Sequence, residues 1–186
     1  MELERGILSM KEREKESIRK TGEVVLRQEV YRNDARKIAQ WLESREVTQF
    51  LNEYQNVSEG IREVLERVPV PVVTHLFNQN GSFFMVDAEK QEPVGYLKLV
   101  PRWNETEMII VIGDRQKWGQ GFGTAAVFQG LRHAFFEWRA DKVVAIIHTA
   151  NRRSIRIFQK AGFRKEKNLS QEIQFCITMN EFLKMV

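Results

Sequence analysis

The 186-residue sequence predicts an α/β (α+β) domain: a mixed, mostly antiparallel sheet flanked by helices, with one βαβ crossover. Three observations predict it. Two runs are apolar on both faces, Met108-Ile109-Ile110-Val111-Ile112 and Val143-Val144-Ala145-Ile146-Ile147, as strands in the middle of a sheet are. Between them lie a glycine-rich turn and a helix whose apolar face carries Phe128, Leu131, Phe135 and Trp138; strand, helix and strand at this spacing make a right-handed parallel crossover. Ahead of them, shorter apolar runs alternate with tight turn signals, the pattern of antiparallel neighbours.

The elements follow in order. Residues 1–20 are charged, with Glu and Lys or Arg often four apart, and read as a polar helical arm or as a disordered extension. The packed domain is expected over residues 21–186. Val24, Val25, Leu26 and Val30 predict a first strand. Asn33-Asp34 is expected to cap a helix, because Ala35, Ile38, Ala39 and Leu42 then recur on one helical face. A second helix starts at Ser58, carries Ile61, Val64, Leu65 and Val68 at the same spacing, and ends at Pro69 and Pro71. Strands are expected at residues 82–86, 94–100 and 107–112, set off by Asn78-Gln79-Asn80-Gly81 and by turns at 87–93 and 101–106. Past the second doubly apolar strand, residues 151–160 predict a short helix closed by Ala161-Gly162. Strands at 163–167 and 172–179 then finish the chain.

Composition narrows the function. Hydrophobic residues make up 42% and charged residues 29%, the ordinary balance of a soluble domain. No apolar run reaches the roughly 18 residues of a spanning helix, so no membrane partner is expected. The charged first residues lack a secretory layout, and the single cysteine, Cys176, fits a reducing compartment, so the expected location is cytoplasmic. The net charge of +4 favours anionic partners. The basic residues are interleaved with acids, and no zinc-finger spacing or RNP-like aromatic strand is present. A phosphate-rich small molecule is therefore expected rather than nucleic acid, and no metal site.

The informative segment is Gln116-Lys117-Trp118-Gly119-Gln120-Gly121-Phe122-Gly123-Thr124, between a buried strand and an amphipathic helix. A helix start presents unpaired N–H groups and a positive dipole end, and glycines let an anion approach closely. Together they seat a pyrophosphate. A P-loop would need a lysine before Thr124, and in a dinucleotide fingerprint the third glycine would come one residue later. Gln116, Gly119 and Gly121 instead match the Q/R-x-x-G-x-G/A loop that binds coenzyme A in the GNAT superfamily. Downstream, Asn151-Arg152-Arg153-Ser154 and Phe158-Gln159-Lys160-Ala161-Gly162-Phe163 resemble that superfamily's N-x-x-S/A and K-x-G-F segments. The resemblance covers nearly all of residues 23–179. It is closest to the branch of ribosomal-protein N-terminal and spermidine acetyltransferases, which His148 also suits.

The resemblance implies a GNAT-like sheet in which two central strands splay apart, and an N-acetyltransferase using acetyl-CoA as co-substrate. The pantetheine arm would pair with Ile110, Val111 and Ile112. The pyrophosphate would sit on the N–H groups of Trp118, Gly119, Gln120, Gly121, Phe122, Gly123 and Thr124, with Gln116, Lys117, Asn151 and Phe158 completing the site. The amine would attack the thioester directly, through an oxyanion held by a backbone N–H. A base is useful for deprotonating the amine, and Asp114, Glu105, Glu107 and His148 are the candidates, with Asp114 favoured for its place just after the strand. Many members carry a tyrosine acid where this chain has Phe158; the branch's proposed substitute is a serine, here Ser154. Cys176, in an apolar strand, reads as packing. The expected acceptor is a peptide or protein amine, because the short link at residues 168–171 leaves the cleft open. Small-molecule acceptors (polyamine, aminoglycoside, amino sugar) are the alternative, with Glu46 and Glu53 as acidic residues to attract them. A further alternative, kept open by Phe158, is an acetyl-CoA-binding sensor or scaffold without catalysis. The arm is also a candidate homodimer contact.

Overall fold

The computed structural model describes residues 23–51 and 56–186, apart from the side chain of Lys90. The arm at residues 1–20 and Glu53 lie outside them. A three-residue strand β1 (Val25–Arg27) leads to helices α1 (Arg32–Glu43), α2 (Arg45–Thr48) and α3 (Val57–Arg67). Strands β2 (Ser82–Ala88), β3 (Glu92–Pro101) and β4 (Thr106–Ile112) follow. Helix α4 (Phe122–Arg132), extended by a π-helical turn at His133–Glu137, crosses to β5 (Lys142–His148). Then come α5 (Arg152–Lys160), β6 (Arg164–Asn168), β7 (Glu172–Thr178) and α6 (Met179–Leu183).

The seven strands lie in the order β1-β2-β3-β4-β5-β7-β6. The β4–β5 pair is parallel and every other pair is antiparallel, as one crossover in a meander requires. The alternation of side chains along each strand sends them into two cores. Phe84 of β2, Leu97 of β3 and Val143 of β5 pack with Leu131, Phe135, Phe158 and Phe182 of the helices on one face. Phe83 of β2, Tyr96 of β3 and Val111 of β4 pack with Ile38 of α1 and Leu65 of α3 on the other. β4 feeds both cores, which is why its sequence is apolar throughout.

Three expectations are corrected. Asn33-Asp34 does not cap α1, which begins at Arg32 with Tyr31 as its N-cap. Asp34 is the third helical residue instead: its buried carboxylate accepts the Tyr31 N–H (2.9 Å) and pairs with Arg27 (2.8 Å). Arg27 also holds Asp87 at 2.6 Å, so one guanidinium ties β1, α1 and β2 together. Two carboxylates around one cation are stable when buried only if hydrogen-bonded, and here they are. Second, β2 and β3 are each longer than expected, and a 3₁₀ turn at Glu89–Gln91 replaces most of the anticipated 87–93 turn. Third, the chain does not end on a strand. Thr178 caps α6 by accepting the Glu181 N–H, Glu181 returns a bond from the Thr178 N–H (2.8 Å), and Phe182 is fully buried.

Candidate active site

β4 and β5 pair only at Thr106↔Val143 and Glu107↔Val144. Beyond those positions β4 stays bonded to β3 as far as Ile112, and β5 stays bonded to β7 as far as His148. Each strand follows its outer neighbour, so the two part toward their C-terminal ends. Among the described residues, the β5-facing edge of residues 108–112 has no strand partner. A cavity of about 320 Å³ lies beside this end of β4, lined by Ile110, Val111 and Ile112 and, across from them, by Ser154 and Ile157 of α5 and Asn151 at its start.

The turn after β4 forms the cavity's end. Asp114 caps a 3₁₀ turn over Arg115–Lys117 by accepting the Gln116 N–H (3.0 Å). The Trp118 indole N–H donates to the Ile112 carbonyl (2.7 Å), folding the ring back against the strand. Gly119 (φ 79°) and Gly121 (φ 92°) take left-handed torsions that side chains resist. Gly123 has a different reason: a Cβ there would lie 2.7 Å from Ile157 Cδ1 of α5. Gly121 is the N-cap of α4 and has no side chain to cap the first-turn N–H groups, which face an anion's needs uncapped.

Helix α5 closes the other side. Asn151 caps it, its side-chain oxygen accepting the Ser154 N–H (3.2 Å), and Ser154 sits in the first turn on the cavity wall. The Arg153 guanidinium lies 3.5 Å over the Trp118 ring. Partial burial and the neighbouring Arg115 charge pull Arg153 below the ordinary arginine range, though a guanidinium stays charged at any working pH. Among the described residues, Lys117, Arg153, Arg156 and Lys160 give the cavity a cationic lining, with Glu46 of α2 as its one carboxylate. Glu46 pairs with Arg115 (2.9 Å). Its own backbone N–H, the Ser44 hydroxyl and Arg115 hold it below the usual carboxylate range.

Of the residues singled out from sequence, Ile110, Val111, Ile112, Lys117, Trp118, Gly119, Gly121, Phe122, Gly123, Thr124, Asn151 and Ser154 meet around this one cavity. Gln116 and Gln120 do not: both are exposed on the turn, where Gln120 Nε2 donates to the Gln116 carbonyl. Phe158 is corrected from a site residue to a core residue, 2% exposed and packed edge-on against Phe163 at 4.9 Å. Asp114 is not among the residues that line the cavity; its carboxylate accepts the Gln116 N–H at the start of the turn. Glu105 and Glu107 stand at the closed end of the gap, paired with Lys142 (2.8 Å) and Arg102 (2.9 Å). His148 stands at the open end, stacked on Phe50 at 5.2 Å, with Nδ1 accepting the Ala150 N–H. Cys176 is buried, and burial pushes its thiol above the ordinary value. The sequence reading missed Val47, Phe50 and Leu51, which α2 and its following turn bring to the cavity, and the cations of α5. The first group carries no periodic signal in so short a helix; the second was visible as Arg153, Arg156 and Lys160 at helical spacing.

Among the described residues no group of three or more His, Cys, Asp or Glu converges as metal ligands, and no helix is long and apolar enough to cross a membrane. The fold agrees with that of known proteins. A spermidine N-acetyltransferase from Vibrio cholerae, solved with CoA and spermine, superimposes with a TM-score of 0.71 at 17% identity, covering 87% of this chain and 98% of that one. A GNAT-family acetyltransferase from Bacillus anthracis gives 0.68 at 16%, covering 86% and 96%. At these identities the likeness is one of fold. The uncharacterized protein YkkB of Bacillus subtilis (strain 168) is 30% identical over 86 residues, 45% of this chain and 50% of YkkB, so the match spans half the length of that relative. The family model of the GNAT acetyltransferase domain matches residues 24–164, about three quarters of the sequence, and the chain belongs to that family.

Proposed function

We propose that the protein is an N-acetyltransferase that moves the acetyl group of acetyl-CoA onto a primary amine by direct attack. One observation carries the reading: the parted strands β4 and β5 open onto a glycine turn whose helix start is uncapped and whose walls are cationic. A pantetheine arm needs an unpaired strand edge, and residues 110–112 have one. A pyrophosphate needs N–H donors and open space; apart from its chain neighbours, no residue comes within 4 Å of where a Gly119 side chain would begin. Acetyl-CoA bound there supplies an activated thioester carbonyl. Backbone N–H groups of the β4 edge are the fixed donors for charge developing on that carbonyl oxygen.

Ser154 is the proposed proton donor to the leaving thiolate, because it is the hydroxyl on the α5 wall and Phe158 is turned into the core. Ser154→Ala is expected to lower kcat by about a hundredfold while leaving acetyl-CoA affinity unchanged. No described carboxylate of the cavity is a strong base, since Glu46 is held ionised by its partners. With water as the proposed proton acceptor, kcat/KM should rise with pH toward the amine's own pKa, about 8 for an α-amine and about 10.4 for a lysine-like amine, and a rise that levels off well below it would assign a side-chain base instead.

The acceptor is a primary amine, and the solved relative that holds spermine makes a small polyamine the first to test. A peptide amine is the second reading. The link between β6 and β7 is three residues long, and the Thr149 N–H bonds to its Gln171 carbonyl (2.9 Å), so a short link borders the open end of β5. Thiol release from acetyl-CoA across polyamines, aminoglycosides, amino sugars and peptides tests both. Release with one class assigns the acceptor. Binding of acetyl-CoA without release for any amine would replace this reading with a sensor or scaffold.

A further inference from the structure

His148, the last residue of β5, has no part in the chemistry so far. Along β5, Val143, Ala145 and Ile147 point into the core that holds α4 and α5. By alternation, Ile146 and His148 point to the opposite face of the sheet, where Val47 and Leu51 of the α2 segment pack. There the His148 ring stacks on Phe50 at 5.2 Å, with 29° between the planes. Phe50 is itself on the cavity wall, beside Val47 and Leu51. His148 also holds the entrance to α5. Its Nδ1 accepts the Ala150 N–H (3.1 Å), and its carbonyl accepts the Asn151 N–H (2.8 Å). Asn151 in turn caps α5 through the Ser154 N–H. One residue therefore joins two walls of the cavity that come from opposite faces of the sheet.

This bonding sets His148 apart from a base. A ring nitrogen that accepts an N–H bond carries no proton, so the neutral ring keeps its proton on Nε2 and has no second lone pair to offer. It would have to release the Ala150 N–H before taking a proton from the amine. What the ring does is hold its neighbours. The proposed co-substrate uses the edge of β4, the start of α4 and the α5 wall, which leaves the α2 wall to the amine. Resting on the acetyl-CoA reading above, we infer that His148 is a positioning residue: its ring fixes Phe50 as a wall for the incoming amine, and its Nδ1 fixes the start of α5 and with it Ser154.

The test is steady-state kinetics of the full chain, with the best acceptor found by thiol release, on the wild type, His148→Asn, His148→Ala and Phe50→Leu, with amide hydrogen exchange followed in parallel. An asparagine oxygen can accept the N–H two residues on but does not stack as the imidazole does. His148→Asn is therefore expected to keep kcat within about twofold and to raise the amine KM about three- to tenfold, and Phe50→Leu to raise KM alike. His148→Ala should raise KM and also lower kcat at least about tenfold, because the proton donor is no longer held in place. Acetyl-CoA affinity should stay at the wild-type value in all three, which also reports that they are folded. The pH profile of kcat/KM should be the same in the wild type and in His148→Asn. Wild-type kinetics in His148→Ala overturn the inference, as does a His148→Asn enzyme that loses as much kcat as His148→Ala or that loses a limb of the pH profile. Failure of the acetyltransferase reading looks different: the wild type turns over no amine. Exchange at the Ala150 and Ser154 amides still decides the positioning role in that case, slow in the wild type and His148→Asn and fast in His148→Ala, with equal rates in all three overturning it.

Discussion

At the scale of single residues, the glycines of the turn are not equivalent. Gly121 takes φ 92°, where an L side chain costs about 1–2 kcal/mol whatever the space. Gly123 has an ordinary torsion, and its constraint is the end of the flexible Ile157 side chain. Gly121→Ala is therefore expected to lower stability by that amount and to weaken acetyl-CoA binding, because the strained turn re-aims its N–H groups. Gly123→Ala should cost less than about 1 kcal/mol, since Ile157 has rotamers with which to give way. Chemical denaturation and a binding titration of the two variants check this, and equal losses would mean that crowding, not torsion, governs the turn. The same distinction explains what could be read from the sequence. Gln116, Gly119 and Gly121 marked the loop by spacing, but spacing does not say that Gln116 faces water or that Phe158 turns inward. The first depends on how the turn folds back through the Trp118 indole, the second on which face of α5 the Phe163 ring covers, and both are tertiary facts.

At the scale of elements, long periodic segments were legible and short ones were not. α1 and α3 announced themselves by apolar spacing, and β4 and β5 by runs apolar on both faces. α2 has four residues and α6 five, too few to show a period. A signal for α6 did exist: Thr178-Met179-Asn180-Glu181 is a capping-box pattern, and Phe182 follows it. The box makes α6 sensitive to acid. Arg164, then the Thr178 N–H and hydroxyl, hold the Glu181 carboxyl down to about 2. A carboxyl whose folded pKa is depressed stabilises the fold at pH above its unfolded value, about 4.3, and loses that contribution as pH falls toward 2. The stability difference between wild type and Glu181→Gln should be constant from neutral pH down to about 5 and vanish by about pH 2. A difference that persists at pH 2 would assign the role of Glu181 to packing. Phe182→Ala, which empties a fully buried site beside Phe135, should cost about 3–5 kcal/mol at every pH.

At the scale of the molecule, the sheet is two sheets that share a short seam. β1 to β4 form one antiparallel unit, β5, β7 and β6 form the other, and two bridged positions join them. The helices hold the halves together: α4 packs on β1, β3 and β4, α5 packs on β5, and the two helices meet through Ile157 and Gly123. A ligand that bonds the free edge of β4 and the start of α4 while touching α5 must stiffen the seam and leave the hairpins alone. Hydrogen exchange reads this directly. Acetyl-CoA is expected to slow exchange at residues 109–112, 119–124 and 151–154 by more than it slows the β2–β3 and β6–β7 amides, which gain only from the rise in global stability. At about a hundred times Kd it should stabilise the protein by about 2.7 kcal/mol, raising the unfolding midpoint by several degrees. Uniform slowing across all strands would mean that the ligand acts only through global stability. Protection confined to 119–124 would mean that the turn binds phosphate while the parted strands hold nothing, and the sheet's opening would then have no part in acetyl transfer.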